Sequence, residues 1–333
     1  MKKIVYAAIF LICALTLCSC GTKKYTAYSF DYFDTVTTVI GYAGNQKEFD
    51  AVGDEIFSAL AEYHRLFDIY HSYDGLENLC TLNEKREIRA DVRILDMLSY
   101  AKEMHETTNG KCNIAMGSVL SIWHDYREDG VALPPMALLE KASAHTDIRD
   151  LQIDRERGTV SLLDPEMTLD VGAIAKGYAA EMVARALEEK GVTGYLINVG
   201  GNVRTVGTRA DGSKWQVSIE NPLENGGSYL DTLSLSGESL VTSGSYQRFY
   251  SVDGKNYHHI IDPETLLPSE YFLSVSVVCR NSAMADALST ALFCMPFRDG
   301  LSLVESTDGA EALWLLSDGT VKLSGGWQES RVG

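Results

Sequence analysis

The clearest periodicity lies mid-chain. Ala180, Val183, Ala184 and Leu187 recur at three- and four-residue steps and predict one apolar face of a helix. Upstream, residues 48–67 and 92–107 read as two further helices, and Pro134-Pro135 opens a shorter one. Residues 33–41 are rich in β-branched side chains and read as an opening strand. Residues 195–203 form an apolar strand that breaks at Gly200-Gly201. Residues 215–219, 233–235 and 273–278 alternate, and 283–293 returns to helical character. The stretch 68–84 is polar and irregular, Asn109-Gly110 marks a turn, and 115–123 leads into a charged loop. No repeat, low-complexity tract or interdomain linker interrupts this order. Helices and strands mix without regular β-α-β alternation, which predicts an α+β fold.

The amino end differs from everything after it. Met1-Lys2-Lys3 precedes an apolar run over residues 4–17, the form of a secretory signal whose core is too short to span as a mature helix. The run ends in Leu17-Cys18-Ser19-Cys20-Gly21, which resembles a bacterial lipobox. That likeness implies lipidation of Cys20 as the first residue of the mature chain, outside the cytoplasm and anchored to the cell membrane. No later run is long and apolar enough for a second anchor. Residues 22–29 read as a polar tether. With 29 basic and 46 acidic residues the chain carries −17, and removing Lys2 and Lys3 leaves 27 against 46, or −19. Such acidity excludes nucleic acid as a partner class. Cys80, Cys112, Cys279 and Cys294 remain in the mature chain without metal-ligand spacing, as two disulfides or as buried thiols.

Four segments carry candidate chemistry. The central helix is entered through Thr168-Leu169-Asp170-Val171-Gly172-Ala173-Ile174-Ala175-Lys176-Gly177. Small residues let backbone groups approach a ligand, a helix start favours anions, and Lys176 adds a charge suited to phosphate. Alone, this is equally a tight turn before a surface helix. Gly200-Gly201-Asn202 reads as a turn, and Thr242-Ser243-Gly244-Ser245-Tyr246 as a hydroxyl-rich anion loop or a hairpin end. Tyr257-His258-His259-Ile260-Ile261-Asp262-Pro263 places adjacent histidines on opposite faces of a strand, so one can face a cleft while the other packs or meets solvent. Adjacent histidines are a poor zinc signature. Asp286 and Thr290 share a helix face and offer hard oxygens suited to magnesium. A first-turn aspartate with a threonine bonded back to its helix has the same spacing.

Together these segments resemble the ApbE-type FAD:protein FMN transferases, flavin-transferring lipoproteins of bacterial envelopes. The four ordered anchors are Asp170 to Gly177, Asn198-Val199-Gly200-Gly201-Asn202, Thr242-Ser243-Gly244 through Asp262-Pro263, and Ala285-Asp286-Ala287-Leu288-Ser289-Thr290-Ala291. The likeness covers nearly the whole mature chain. It implies a T-fold-like domain of mixed, largely antiparallel sheets with packed helices over 30–333, behind a signal at 1–19 and a lipidated tether at 20–29.

The resemblance further implies FAD as substrate, in a cleft bordered by Phe33, Cys112, Asn113, Asp170, Lys176, Thr242 and the backbone near Ile260. Magnesium would take the Ala173 carbonyl with Asp286 and Thr290. A threonine or serine hydroxyl of a partner flavoprotein, often a subunit of a membrane redox complex, would attack the FMN phosphorus and release AMP. His258 or His259 would supply the base. Two positions depart from the family pattern: Cys112-Asn113 where Phe-Asp is usual, and Leu266 where glycine is usual. The rival readings are a magnesium-dependent FAD pyrophosphatase giving FMN and AMP, and a flavin-binding lipoprotein without chemistry.

Overall fold

An eight-stranded sheet organises the chain. Its order is β1 (Lys23–Tyr32), β2 (Thr35–Ala43), β6 (Tyr195–Val199), β7 (Asn202–Val206), β10 (Ser239–Gly244), β13 (Ser274–Cys279), β14 (Glu311–Leu315) and β15 (Val321–Leu323), with every neighbouring pair antiparallel. The computed structural model describes residues 21–223 and 227–331, so the signal segment and Cys20 lie outside the described residues.

Strand alternation gives the sheet two different faces. Val241, Val275, Val277 and Trp314 point into the core beneath the helices, while Leu240, Val278 and Leu313 point into a second core. The hairpin of β8 (Trp215–Glu220) and β9 (Tyr229–Leu235) closes that second core, together with Trp327. On the helical face lie α1 (Gln46–Phe67), α6 (Ala175–Glu189) and α7 (Ser282–Phe293). Helix α1 starts where the Asn45 side chain accepts the Glu48 N–H at 3.1 Å, satisfying a free donor of the first turn. Ala180, Val183, Ala184 and Leu187 are all buried, against Phe49, Ile56 and Leu60 of α1. The periodicity of the central helix therefore reports its packed face.

The α+β reading holds, with four corrections. Residues 22–29 are not a tether: β1 begins at Lys23 and pairs along β2, its half-buried Tyr25 and Ala27 packed on the core below α1. The polar stretch 68–84 contains α2 (Leu79–Lys85), a short helix set by a capping box between Asn78 and Thr81. Residues after 116 form α4 (Gly117–Asp129), whose charged side faces solvent and whose Val119 and Trp123 are buried. A small sheet of β3 (Glu87–Arg89), β5 (Thr159–Leu162) and β4 (Leu151–Asp154) was invisible because its strands are only three or four residues long. The remaining helices are α3 (Val92–Thr107), α5 (Met136–Ser143) and α8 (Phe297–Ser306). Cys80, Cys112, Cys279 and Cys294, the cysteines among the described residues, are buried free thiols. Among the described residues no helix is long and apolar enough to cross a membrane.

Leu266 adopts φ 61°, the left-handed region in which glycine has no steric cost. Its side chain nevertheless lies buried with Met116, Val119, Trp123, Leu139 and Ile261, and its carbonyl accepts the Trp123 indole N–H at 2.9 Å. Removing a buried leucine side chain costs about 2–5 kcal/mol, and relief of the backbone strain returns about 1–2 kcal/mol. Leu266→Gly should therefore destabilise the protein by about 1–3 kcal/mol in urea unfolding. An unchanged or higher midpoint would show that strain outweighs packing here.

Candidate active site

The segment before α6 has no regular structure, yet three elements grip it. Asn83 of α2 donates through Nδ2 to the Leu169 carbonyl at 3.0 Å and accepts the Leu169 N–H through Oδ1 at 2.8 Å, imitating a strand partner. The Asp170 N–H donates to the Ile114 carbonyl at 2.8 Å, and the Gly117 N–H to the Thr168 carbonyl at 3.1 Å. Held in this way, Asp170 accepts the Gly172 N–H on Oδ1 at 2.8 Å. Burial pushes its pKa up, against the Gly172 N–H and the Lys176 charge.

At the start of α6 an orphan donor is satisfied from the neighbouring helix. Gly177 stands in the first turn, where an N–H has no partner within its own helix, and it donates to Asp286 Oδ2 of α7 at 2.8 Å. No backbone donor among the described residues bonds the Ala173 carbonyl. A glycine is required, because a Cβ at 177 would stand 2.4 Å from both Asp286 Cβ and the Ser282 carbonyl oxygen. Gly177→Ala must force the helices apart. It should cost about 1–3 kcal/mol of stability and abolish any magnesium-induced rise in melting temperature, read by thermal unfolding with and without the metal. Retention of that rise would separate Gly177 from the site.

Asp286 is 4% exposed, and no cation lies within ion-pair distance of it among the described residues. Burial holds its pKa above the carboxylate range, opposed by Lys176, the Gly177 N–H and the Asn202 side chain. Asn202 keeps its own amide oxygen buried and unpartnered. One helical turn on, the Thr290 hydroxyl has no bond back to the helix and lies 3.5 Å from Ser243 Oγ; the neighbouring Ser289 makes the back-bond instead. No cluster of three His, Cys, Asp or Glu side chains exists among the described residues. A buried carboxylate lacking a counter-ion, a free hydroxyl and a free carbonyl nonetheless make an all-oxygen set suited to a hard divalent cation. The residues fit magnesium.

The two histidines differ completely. His258 is buried edge-on to Phe293, its Nε2–H donating to the Ser269 carbonyl at 2.7 Å and its Nδ1 accepting the Ile260 N–H at 3.2 Å. Both ring nitrogens are used, and burial lowers the pKa. His259 is exposed. Its Nδ1 lies 3.2 Å from the Arg248 carbonyl, so Nδ1 carries the proton and Nε2 presents a lone pair. Desolvation by the surrounding chain, with the Arg248 and Lys176 charges, holds its pKa low. Lys176 thus acts on Asp170, Asp286 and His259 together, placing the motifs in one electrostatic neighbourhood.

Other expected residues fall elsewhere. Cys112 lies in the core, where burial pushes its thiol up to about 12, and the Asn113 side chain caps the turn at Ala115 and bonds the Thr146 carbonyl. Thr242 sits on the sheet face away from α7 and shares its hydroxyl with Ser276 at 2.8 Å; alternation makes Ser243 the residue facing Thr290. Phe33, at φ 55°, packs its ring on His64, while the Asp34 carbonyl accepts from Arg248 at 2.8 Å. The Ile260 backbone is engaged by His258 and Ser269, so it offers an apolar wall.

Beside Asp170 opens a cleft of about 530 Å³ lined by Asp34, Tyr70, His124, Arg127, Arg248 and Phe249 among others. Sequence reasoning passed over these residues. Tyr70 stands in an aperiodic stretch, and its only signal was a large aromatic among polar neighbours; here it is 57% exposed and lies against His124. Asp68 shapes that loop by accepting the Tyr70 and His71 N–H groups and the Tyr73 hydroxyl.

The chain is similar to known proteins along most of its length. The FAD:protein FMN transferase of Treponema pallidum is 30% identical, over 84% of this chain and 81% of that protein. The one from Haemophilus influenzae is 26% identical, over 96% of this chain and 94% of that protein. The ApbE protein of Thermotoga maritima superposes with a TM-score of 0.83 at 25% identity, covering 93% of this chain and all of the other. The ApbE family model matches residues 33–314, which takes in the β1–β2 turn, the clamped Asp170 segment, both site helices and the histidine strand; the chain belongs to the ApbE family.

Proposed function

We propose that the protein is a magnesium-dependent FAD:protein FMN transferase of the cell envelope. The observation that carries this reading is the bond from the first-turn Gly177 N–H of α6 to the buried Asp286 of α7. That carboxylate has no counter-ion among the described residues and lies within the field of Lys176, while the Ala173 carbonyl just before α6 takes no backbone donor and His259 keeps one free nitrogen. Transfer of a phosphoryl group calls for positioning and charge neutralisation rather than covalent help. When bound, magnesium would neutralise pyrophosphate charge and stabilise the AMP leaving group.

The chain's own residues do the rest. Lys176 draws the pyrophosphate to the start of α6, and Asp170 and Tyr70 border the flavin nucleotide. His259 Nε2 takes the proton of an acceptor threonine or serine as its oxygen bonds to the FMN phosphorus and the bond to AMP breaks. The acceptor is a partner flavoprotein of a membrane redox complex, and the lipid on Cys20 keeps enzyme and acceptor at one surface.

Incubation with FAD, magnesium and a peptide ending in Ala-Thr tests this. Mass spectrometry should find one FMN added to the peptide only when magnesium is present. FMN and AMP without adduct would replace transfer by hydrolysis, and intact FAD would remove the enzyme reading. Cys20→Ser should move the protein from the membrane to the soluble fraction; continued membrane association would refute the anchor.

A further inference from the structure

One buried charged cluster near the site has no role in the chemistry above. Glu181 lies one turn beyond Gly177 on α6 and is 2% exposed. Its Oε2 accepts the Ser282 N–H at 2.8 Å and Arg204 Nε at 3.0 Å, while Oε1 accepts Arg185 Nε at 2.7 Å. Arg204, on β7 and 3% exposed, also reaches Glu188 at 3.1 Å and donates to the Thr205 carbonyl. Ser282 opens α7, one turn before Asp286.

The two helices are therefore joined by reciprocal rungs. On one, a carboxylate of α7 (Asp286) accepts a backbone N–H of α6 (Gly177). On the next, a carboxylate of α6 (Glu181) accepts a backbone N–H of α7 (Ser282). The residue numbers step by four in opposite senses, as antiparallel helices require. An apolar pair could hold these helices together as well, since a buried ion pair gives little net stability after desolvation. Apolar contact would not fix their register, whereas two directional rungs do.

We infer that Glu181, held by Arg204, is a positioning residue for the metal site: it sets the register of α7 on α6, and so where Asp286 and Thr290 stand relative to the Ala173 carbonyl. This rests on the magnesium reading above, and the test needs no flavin chemistry. Mn²⁺ binding to the purified full-length protein is measured by electron paramagnetic resonance without FAD, alongside the melting temperature. Glu181→Gln keeps an acceptor for the Ser282 N–H but strands the Arg204 charge. Glu181→Met/Arg204→Met removes both charges together with the acceptor of the Ser282 N–H, and should keep the protein folded. Both should weaken Mn²⁺ binding about 10–100-fold, the range for partners that orient metal ligands, and Arg185→Ala, on the solvent side, should leave it unchanged. A double variant that is as stable as the parent yet binds Mn²⁺ poorly establishes positioning apart from stability. Parental affinity in the double variant overturns the inference. Absence of Mn²⁺ binding by the parent overturns the metal reading itself, and this inference with it.

Discussion

Asp286→Asn should reduce FMN transfer to the level seen without magnesium, while raising the stability of the metal-free protein. The two effects share one cause. Asp286 is an almost fully buried carboxylate with no cationic partner, an arrangement that costs stability unless a cation arrives. Asparagine keeps the shape and an oxygen for the Gly177 N–H, and it removes the charge. Metal-free stability should rise by about 1–3 kcal/mol, the cost of a buried polar group short of partners. Magnesium should raise the melting temperature of the parent, since it binds the folded state alone, and should leave the variant unmoved. Thermal unfolding with and without magnesium, beside the peptide assay, reads all three. A variant that still gains stability from magnesium would remove Asp286 from the metal site.

His259→Ala should lower the rate of transfer about 10²–10⁴-fold with FAD binding retained, the usual effect of losing a general base. His258→Asn should act on stability instead. Neutral His259 is the active form, and its pKa is lowered, so activity should persist below the ordinary histidine range and fall only at more acid pH. For His258 the sign runs through folding. Its folded pKa lies below its unfolded one, so the unfolded chain binds more protons as pH falls below about 6.5, and stability is lost through that window. His258→Asn should start from a lower midpoint at pH 8 and lose less on acidification than the parent. If His258→Asn instead abolished transfer in a fully folded protein, the assignment of the base would be reversed.

How much of this was legible in the sequence depends on the kind of signal. The helix packed through Ala180 and Leu187 announced itself because a periodic apolar face survives any tertiary context. The four anchors gave the order of the site, since glycine turns, the Asp286–Thr290 spacing and adjacent histidines follow one another in a fixed order. The failures were local. Adjacent histidines told that one faces inward, but not that Ser269 and Ile260 would take both nitrogens of His258. Thr242 was chosen over Ser243 because Leu240 and Val241 are both apolar and only the packed structure shows that Val241, and with it Ser243, faces the helices. Cys112 and Asn113 were carried over by position, and in this chain they are a core thiol and a turn cap. The bond from the Gly177 N–H to Asp286 had no signature at all, because it exists only when α6 meets α7.

The first strand has a consequence for which proteins this enzyme can modify. β1 begins at Lys23 and runs ten residues to the turn at Asp34, on the rim of the cleft. At about 3.3 Å per residue that is a rigid stalk up to about 33 Å long, built into the sheet rather than hung from it. Were Cys20 lipidated as proposed, only residues 21 and 22 would lie between the anchor and the sheet, and the cleft would stand within about 33 Å of strand from it. Acceptor threonines would then be chosen partly by altitude: those presented within roughly three nanometres of the bilayer can meet His259, and those held farther out cannot.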